Sequence, residues 1–198
     1  MKENSMRTQF IISVVFLALL SSDTLAGETY RFDQSRSTIG FTVHQFLGTT
    51  HGKFTKFDGK IDIDREHPEK SSVTAKVDVR SIDTGIVKRD NHLRSPEFFN
   101  VAKFPEMTFK SRGVRQTSQQ NGDILGDLMM HGITKPITLH VKLLSPISGD
   151  AKETRWSVTT EPLKRSDFRL MFSQGTEAIS GISQTVAVNI EIEASRVQ

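Results

Sequence analysis

The stretch Thr38-Ile39-Gly40-Phe41-Thr42-Val43-His44 decides the fold class, because its residues alternate in character. Ile39, Phe41 and Val43 share one face, and Thr38, Thr42 and His44 take the other. An extended chain sends successive side chains to opposite sides, so this two-residue period reads as a half-buried β-strand. The same alternation recurs on both sides of it. Residues 29–33 form a short opening strand, and stripes follow at Phe57, Ile61 and Ile63, at Val73, Ala75, Val77 and Val79, and at Met107 and Phe109. The pattern continues through Ile124, Leu128 and Met130, then Ile137, Leu139, Val141 and Leu143, then Trp156 and Val158, and finally Val186, Val188, Ile190 and Ile192. Turn signals such as Asn121-Gly122 and the 132–136 segment separate the stripes. About eight antiparallel-type strands result, with no long amphipathic helix between them to support a parallel βαβ arrangement.

Strands with one apolar face must close that face off, and periodicity alone admits either a sandwich or a barrel. A barrel of eight strands has an interior that its own side chains fill or that holds one small ligand. Residues 52–64 read as one extended run of roughly 40 Å at about 3.3 Å per residue. Gly40, Gly59, Ala75 and Gly126 fall on the apolar side by parity, where small residues leave room. A long apolar tube and a set of glycines that serve only bends and bulges fit this pattern equally well.

One segment breaks the alternation. Residues 81–109, SIDTGIVKRDNHLRSPEFFNVAKFPEMTF, are polar, charged and rich in phenylalanine. Residues 86–93 suit about two helical turns. Ser95-Pro96-Glu97 reads as an N-cap followed by proline at the first helical position, which predicts a second short helix carrying Phe98 and Phe99. An insertion this long is functional or disordered, and Phe98, Phe99, Phe104 and Phe109 argue against disorder.

At the amino end, Lys2 and Arg7 precede an apolar run over residues 10–20 and a more polar stretch that ends in Thr24-Leu25-Ala26. This is the pattern of a secretory leader cleaved after Ala26. The run is too short for a membrane span, which needs about 20 residues. The mature chain is then residues 27–198, one domain. There is no cysteine, which excludes a lipoprotein anchor and disulfides. The formal charge of +3 is interleaved along the chain, so nucleic acid is not an expected partner.

None of the six histidines stands in a His-x-His pair, an HExxH helix or a cysteine-containing set, so no metal is expected. His67 and His140 read as solvent-side; His44, His92 and His131 suit a polar role or plain structural hydrogen bonding. No GxSxG elbow, phosphate-binding glycine loop or CxxC occurs. Asp83, Asp90 and Asp167 fit turn and cap duty, and Asp90 beside Arg89 and Arg94 predicts ion pairs that hold a loop, not an acid and base. Thirteen phenylalanines with one tyrosine and one tryptophan suit either a core plug or the wall of a greasy pocket. Core packing and ligand lining are even for Phe41 and Phe109, while Phe98 and Phe99 on the insertion favour a pocket mouth.

Thr84-Gly85, Lys88-Arg89-Asp90, His92-Leu93-Arg94-Ser95, Phe98-Phe99 and Phe104-Pro105 occur in this order together with TIGFTVHQF, GKFTKFDGKIDID, GDLMMHGITKPITL and LKRSDFRL. In these motifs the chain resembles the YceI-like family of periplasmic polyisoprenoid-binding proteins over nearly its whole length after residue 27. The resemblance favours the barrel over the sandwich. It implies an all-β fold, an eight-stranded antiparallel lipocalin-like barrel with a short helical insertion at about residues 81–105. It further implies a noncatalytic periplasmic carrier, without cofactor, that holds a polyisoprenoid or similar long-chain amphiphile in the lumen: a prenyl quinone, a prenyl phosphate or a fatty amide.

The ligand-contacting set that follows from the resemblance is Phe41, Val43, Phe46, Ile82, Asp90, His92, Leu93, Arg94, Phe98, Phe99, Phe109, Met130 and Phe168. By position Asp90, His92 and Arg94 take head-group or lid-locking roles, with Phe98 and Phe99 against the chain. Each buried isoprene unit would contribute about 3 to 4 kcal/mol gross, offset in part by ordering the chain. An enzyme acting on such a lipid, a barrel filled by its own side chains, and pairing into a homodimer stay open. Two positions depart from the family pattern: Asn100 stands where aspartate is common, and Arg169 where glycine usually follows Arg-Ser-Asp-Phe. Glycine there suits a tight backbone that arginine enters only at some cost.

Overall fold

A computed structural model describes residues 27–145, 152–171 and 181–197. The expected leader and its cleavage point lie outside the described residues. The strands are β1 (Glu28–Phe32), β2 (Thr38–Gln45), β3 (Gly48–Phe54), β4 (Phe57–Ile63), β5 (Ser72–Asp78), β6 (Ile82–Asp83), β7 (Glu106–Gln116), β8 (Asn121–Met130), β9 (Ile133–Leu143), β10 (Glu153–Thr160), β11 (Leu163–Lys164) and β12 (Thr185–Arg196), with one α-helix, α1 (Val87–Arg94), between β6 and β7. β1, β4, β5, β7, β8, β9, β10 and β12 hydrogen-bond in that order, and β12 returns to β1 through Tyr30↔Arg196 and Phe32↔Ala194. This is a closed eight-stranded antiparallel barrel, and closure leaves no unpaired edge around the ring.

β12 carries two partners in succession. Its carboxyl-terminal part pairs β1, while Ala187 to Glu191 pair Thr42 to Thr38 of β2. β2 in turn pairs β3, and β3 pairs the short β6 through Lys53↔Asp83 and Phe54↔Ile82. Two walls of the barrel are therefore broken strands, β1 with β2 and β3 with β4. The single run expected over residues 52–64 is interrupted at residues 55–56. There the Thr55 amide donates to the Ser81 carbonyl (3.2 Å) and the Lys56 amide to Ser81 Oγ (3.0 Å), so the ladder is satisfied by the incoming insertion instead of a neighbouring strand.

The break between β1 and β2 is fixed by charge. Asp33 accepts from the Ser35 amide (2.9 Å) and hydroxyl (2.6 Å) and from Arg36 Nε (2.7 Å). Arg36 also reaches Glu153 on β10 (2.8 Å) and Glu193 on β12 (3.2 Å). Hydrogen bonds from Ser35 and Arg36 hold the Asp33 carboxyl at about 2 against an ordinary 3.8. Below this corner, Tyr30 and Ala194 are fully buried with Ile192. Tyr30 donates to Glu28 (2.9 Å), and burial pushes its phenol up.

Of the small residues read on the apolar side, Gly59 and Gly126 do not widen the tube, and Gly52 behaves as they do. A methyl group on Gly59 would lie 2.2 Å from the Phe32 ring, one on Gly52 2.2 Å from Phe41, and one on Gly126 2.4 Å from Phe109. Each glycine is the floor on which a phenylalanine from the adjacent strand lies flat. Gly40 belongs to the other face of β2: it opposes Lys53 and Asn189, and its nearest side chain is Thr38.

Inside the insertion, α1 begins one residue later than the sequence pattern suggests. The second helix does not form. Ser95 is the extended residue that ends α1, as a residue before proline prefers. Its carbonyl then accepts from both Phe98 (3.1 Å) and Asn100 (2.8 Å), closing a turn. Asn100 leaves that turn at φ +47°, a left-handed conformation asparagine tolerates. Arg169 likewise sits at φ +55°, ψ +31°, the backbone for which glycine is suited.

Gly59→Ala is expected to cost about 1–3 kcal/mol in denaturant unfolding by driving Phe32 off its seat. Gly113→Ala, where nothing lies within 4 Å of an added methyl group, should stay within about 0.5 kcal/mol of the parent. Asp33, whose pKa is lowered on folding, contributes stability above pH 3.8 that is lost as pH falls through about 2. Asp33→Asn should therefore melt lower at neutral pH and lose less on acidification, measured as Tm against pH.

Candidate functional site

The strands enclose a cavity of about 340 Å³ that runs through the barrel interior. Its deep end is formed by Trp156, Ile61, Ile190, Ile192 and Phe32. Its flanks are the inward stripes of β7 to β10 and β12, among them Ile124, Leu128, Ile137, Leu139, Val141, Val158 and Val188. Side chains bearing polar groups gather at the other end. Gln45, Thr50, Thr84, Arg89 and His92 stand under the insertion, and Thr160, Lys164 and Arg165 follow on the β10 to β12 side. Among the described residues that line the cavity there is no carboxylate.

Aromatic contacts weld the insertion to the wall. Phe41 and Phe54 have ring centroids 5.7 Å apart, Phe54 meets Phe99 edge-on at 6.3 Å, and Phe99 meets Phe98 at 5.4 Å. Phe98 and Phe99 are buried, and they belong to the same cluster as Phe54, Val79, Ile82, Met107, Met130, Phe168 and Leu170. Leu93 and Val101 pack against that cluster.

A polar chain then locks the insertion in place. Asp90 is buried and accepts from the Thr84 amide (2.9 Å) and the Thr84 hydroxyl (2.5 Å). The same hydroxyl oxygen accepts from Arg89 Nε (2.7 Å), while Arg89 Nη2 donates to the Thr84 carbonyl (2.9 Å). Arg89 Nη1 crosses to Thr50 Oγ1 on β3 (3.0 Å), which also accepts from Gln45 Nε2 (2.5 Å). Arg94 donates to the carbonyls of Arg80 (2.8 Å) and Ile82 (2.6 Å), pinning the end of α1 to the strand before it. The expected ion pairs of Asp90 with Arg89 and Arg94 are not how the loop is held. The nearest acceptors for both arginines are backbone carbonyls and hydroxyls, and Asp90 Oδ1 takes both Thr84 donors.

Of the thirteen side chains expected at a ligand, ten line the cavity: Phe41, Val43, Ile82, His92, Leu93, Phe98, Phe99, Phe109, Met130 and Phe168. Asp90, Arg94 and Phe46 do not. Asp90 and Arg94 are four apart on α1 and share the face turned from the lumen, whereas Arg89, His92 and Leu93 share the face turned to it. Phe46 is at the solvent tip of the hairpin between β2 and β3. The polar residues missed in the sequence, Gln45, Thr50, Thr84 and Arg89, carry a readable signal. Thr50 opposes Val43 in register, which puts a hydroxyl on the apolar face, and Arg89 falls three residues before His92.

The histidines have structural partners. His131 Nδ1 bonds the Phe168 carbonyl (3.0 Å), His44 pairs Thr49 (3.1 Å), and His140 contacts Asp123 (2.8 Å). Among the described residues no three His, Cys, Asp or Glu side chains gather as a metal site would require. Nor is any helix among them long and apolar enough to cross a membrane.

Residues 30–194 match the family model described as the YceI-like domain. Protein YceI of Salmonella agona is 32% identical over 189 residues, which cover 92% of this chain and 95% of that protein. The crystal structure of Burkholderia cenocepacia BcnA superposes with a TM-score of 0.75 at 20% identity, covering 83% of this chain and 99% of that one. A polyisoprenoid binding domain from Saccharophagus degradans superposes with a TM-score of 0.59 at 22% identity, covering 85% and 98%.

Asp90→Ala should cost about 1–3 kcal/mol by leaving the half-buried Thr84 donors unpaired. Hydrogen exchange at the amides of residues 82–94 should accelerate more than exchange in β8 and β9, which separates loosening of the insertion from global destabilisation.

Proposed function

Because this chain belongs to the YceI-like family, we propose that it is a noncatalytic periplasmic carrier that holds the chain of a polyisoprenoid or similar amphiphile in its lumen. The observation that carries this reading is the closed barrel around an apolar cavity of about 340 Å³ with its polar side chains at one end. The same fold in a domain named for polyisoprenoid binding supports the ligand class. The charged start, apolar run and Ala26 junction of the leader support export.

On this reading the ligand has a direction. Its hydrocarbon lies along Leu128, Val158 and Val188 toward Trp156, and its head stays by Gln45, Arg89 and His92, where a hydroxyl, quinone carbonyl or phosphate finds donors. An apolar cavity of about 150 Å³ holds one benzene. On that scale this lumen takes roughly 14 carbons, or about three isoprene units. Three units contribute about 10 kcal/mol gross, and ordering and association offset several of those. Affinity for a fifteen-carbon prenyl chain should then lie at tens to hundreds of micromolar, about 5 to 6 kcal/mol. Discrimination among chains of similar girth should be weak, since the wall is shaped more than it is functionalised. The absence of a carboxylate among the described lining residues, and the use of Asp90, on the face turned from the lumen, to hold Thr84, support a binding role over acid–base turnover.

The test is native mass spectrometry of protein purified without detergent, then reconstitution with farnesol, prenyl quinones, prenyl phosphates and fatty amides. Trp156, the single tryptophan, lines the cavity and reports filling by its fluorescence. The I137F/V188F double variant, which fills the lumen from the two strands flanking β10, should lose affinity at least about tenfold while keeping the parent's far-UV spectrum. A protein that stayed empty with every one of these lipids would overturn the reading.

A further inference from the structure

The turn between β2 and β3 is a two-residue hairpin loop, Phe46-Leu47. Such loops favour asparagine, aspartate and glycine for their backbone freedom. Here the tip carries two large apolar side chains, 88% and 93% exposed. Turn chemistry does not call for them, and neither packs against the core. At the start of α1, Ile86 and Val87 are 52% and 74% exposed. These two pairs belong to elements that meet: Gln45, beside Phe46, and Arg89, beside the α1 pair, both donate to the one hydroxyl of Thr50. The exposed apolar side chains thus flank the polar end of the cavity, to which Gln45, Thr50 and Arg89 all contribute.

Cations outnumber anions around them. From Thr38 to Lys56 there is no aspartate or glutamate, while Lys53 and Lys56 are present with His44 and His51. On the other element, Ile86-Val87 runs directly into Lys88-Arg89. The nearby carboxylates are engaged within the protein, Asp83 by the Gly85 amide (2.9 Å) and Asp90 by Thr84. Exposed aromatic and aliphatic side chains backed by an excess of cations suit the interface of a bilayer containing anionic lipid. They suit solvent poorly, since contiguous apolar patches on soluble proteins mark interaction sites.

We propose that the Phe46-Leu47 hairpin tip and the Ile86-Val87 start of α1 dock the barrel onto an anionic membrane surface, with the cavity's polar end facing the lipid. The proposal rests on the carrier reading for its purpose: a prenyl chain resident in a bilayer would enter the lumen without crossing water. It needs no added energy source, because loading and unloading are partition between two apolar phases.

Co-sedimentation with vesicles of phosphatidylglycerol and phosphatidylcholine in equal parts, compared with phosphatidylcholine alone, tests it. The parent protein should bind the mixed vesicles, bind the neutral ones more weakly, and lose affinity as salt is raised. F46S/L47S, at positions that contribute nothing to the core, should reduce vesicle binding about tenfold or more, with an unchanged Tm. Val87→Ser should reduce it independently. Farnesol delivered from ethanol should still fill the F46S/L47S lumen, read by Trp156 fluorescence. Failure of the parent to bind mixed vesicles while still taking up farnesol would overturn the docking and leave the carrier reading standing; vesicle binding with no farnesol uptake would count against the carrier reading alone. A parent that is dimeric, that F46S/L47S turns monomeric, and that ignores vesicles would assign the tip to self-association and overturn the proposal.

Discussion

The pairing of β12 with β1 at one end and with β2 at the other is the constraint on which the lumen depends. One strand of 12 residues spans the full height of the barrel, so the segments opposite it must supply two shorter strands joined by a corner. That corner is residues 33–37, held by Asp33 and by Arg36 reaching β10 and β12. The next wall inherits the same corner one strand over, at residues 55–56, and there the ladder would be left open. The insertion exists at that place because backbone donors at Thr55 and Lys56 need acceptors, and Ser81 provides them.

Closing the upper wall with an insertion instead of a strand changes what must hold it. A strand is secured by its ladder, whereas β6 contributes only two residues of pairing. The remaining work is divided between apolar and polar contacts. Phe98 and Phe99 drive the insertion onto Phe54, and the chain from Asp90 through Thr84 and Arg89 to Thr50 fixes its register. A saturated polar network inside a low-dielectric region specifies one arrangement, where greasy contacts alone would allow several. Arg94, expected at the ligand, and Arg89 are in this sense both part of the frame, and of the two only Arg89 also faces the lumen.

Much of the barrel was legible in the sequence because antiparallel strands with one buried face repeat with period two. What periodicity could not show was where a strand bends while keeping its parity, and residues 52–64 are the case in point. Glycine parity misled for a related reason: a missing side chain signals space, yet a cross-strand ring can occupy it, as Phe32 does over Gly59. Ser95-Pro96 is equally good as the end of one helix and the start of another, and the double use of the Ser95 carbonyl by Phe98 and Asn100 decides for the end. In the insertion the residue types were legible but their directions were not. Helical spacing separates Asp90 and Arg94 from Arg89 and Leu93 only once the helix is known to lay one side on the lumen. The left-handed backbone at Arg169 was legible through the departure from glycine, because conformation is the property such a position constrains.

The uneven distribution of polarity gives the molecule its axis. Inside, the deep end is sealed by Trp156 and Ile192 above a fully buried Tyr30, and every donor that faces the lumen from the insertion lies at the opposite end. Outside, that same end carries the exposed Phe46, Leu47 and Val87, while the corner at Asp33, Arg36, Glu153 and Glu193 is charged, with three carboxylates sharing one guanidinium. A tube that only stored its ligand would gain nothing from apolar side chains outside its entrance. A tube that exchanges its ligand with an apolar phase gains a short path between the two. The hairpin tip and the polar chain beneath it are joined through Thr50, so whatever displaces the tip also pulls on the bonds that hold the insertion shut.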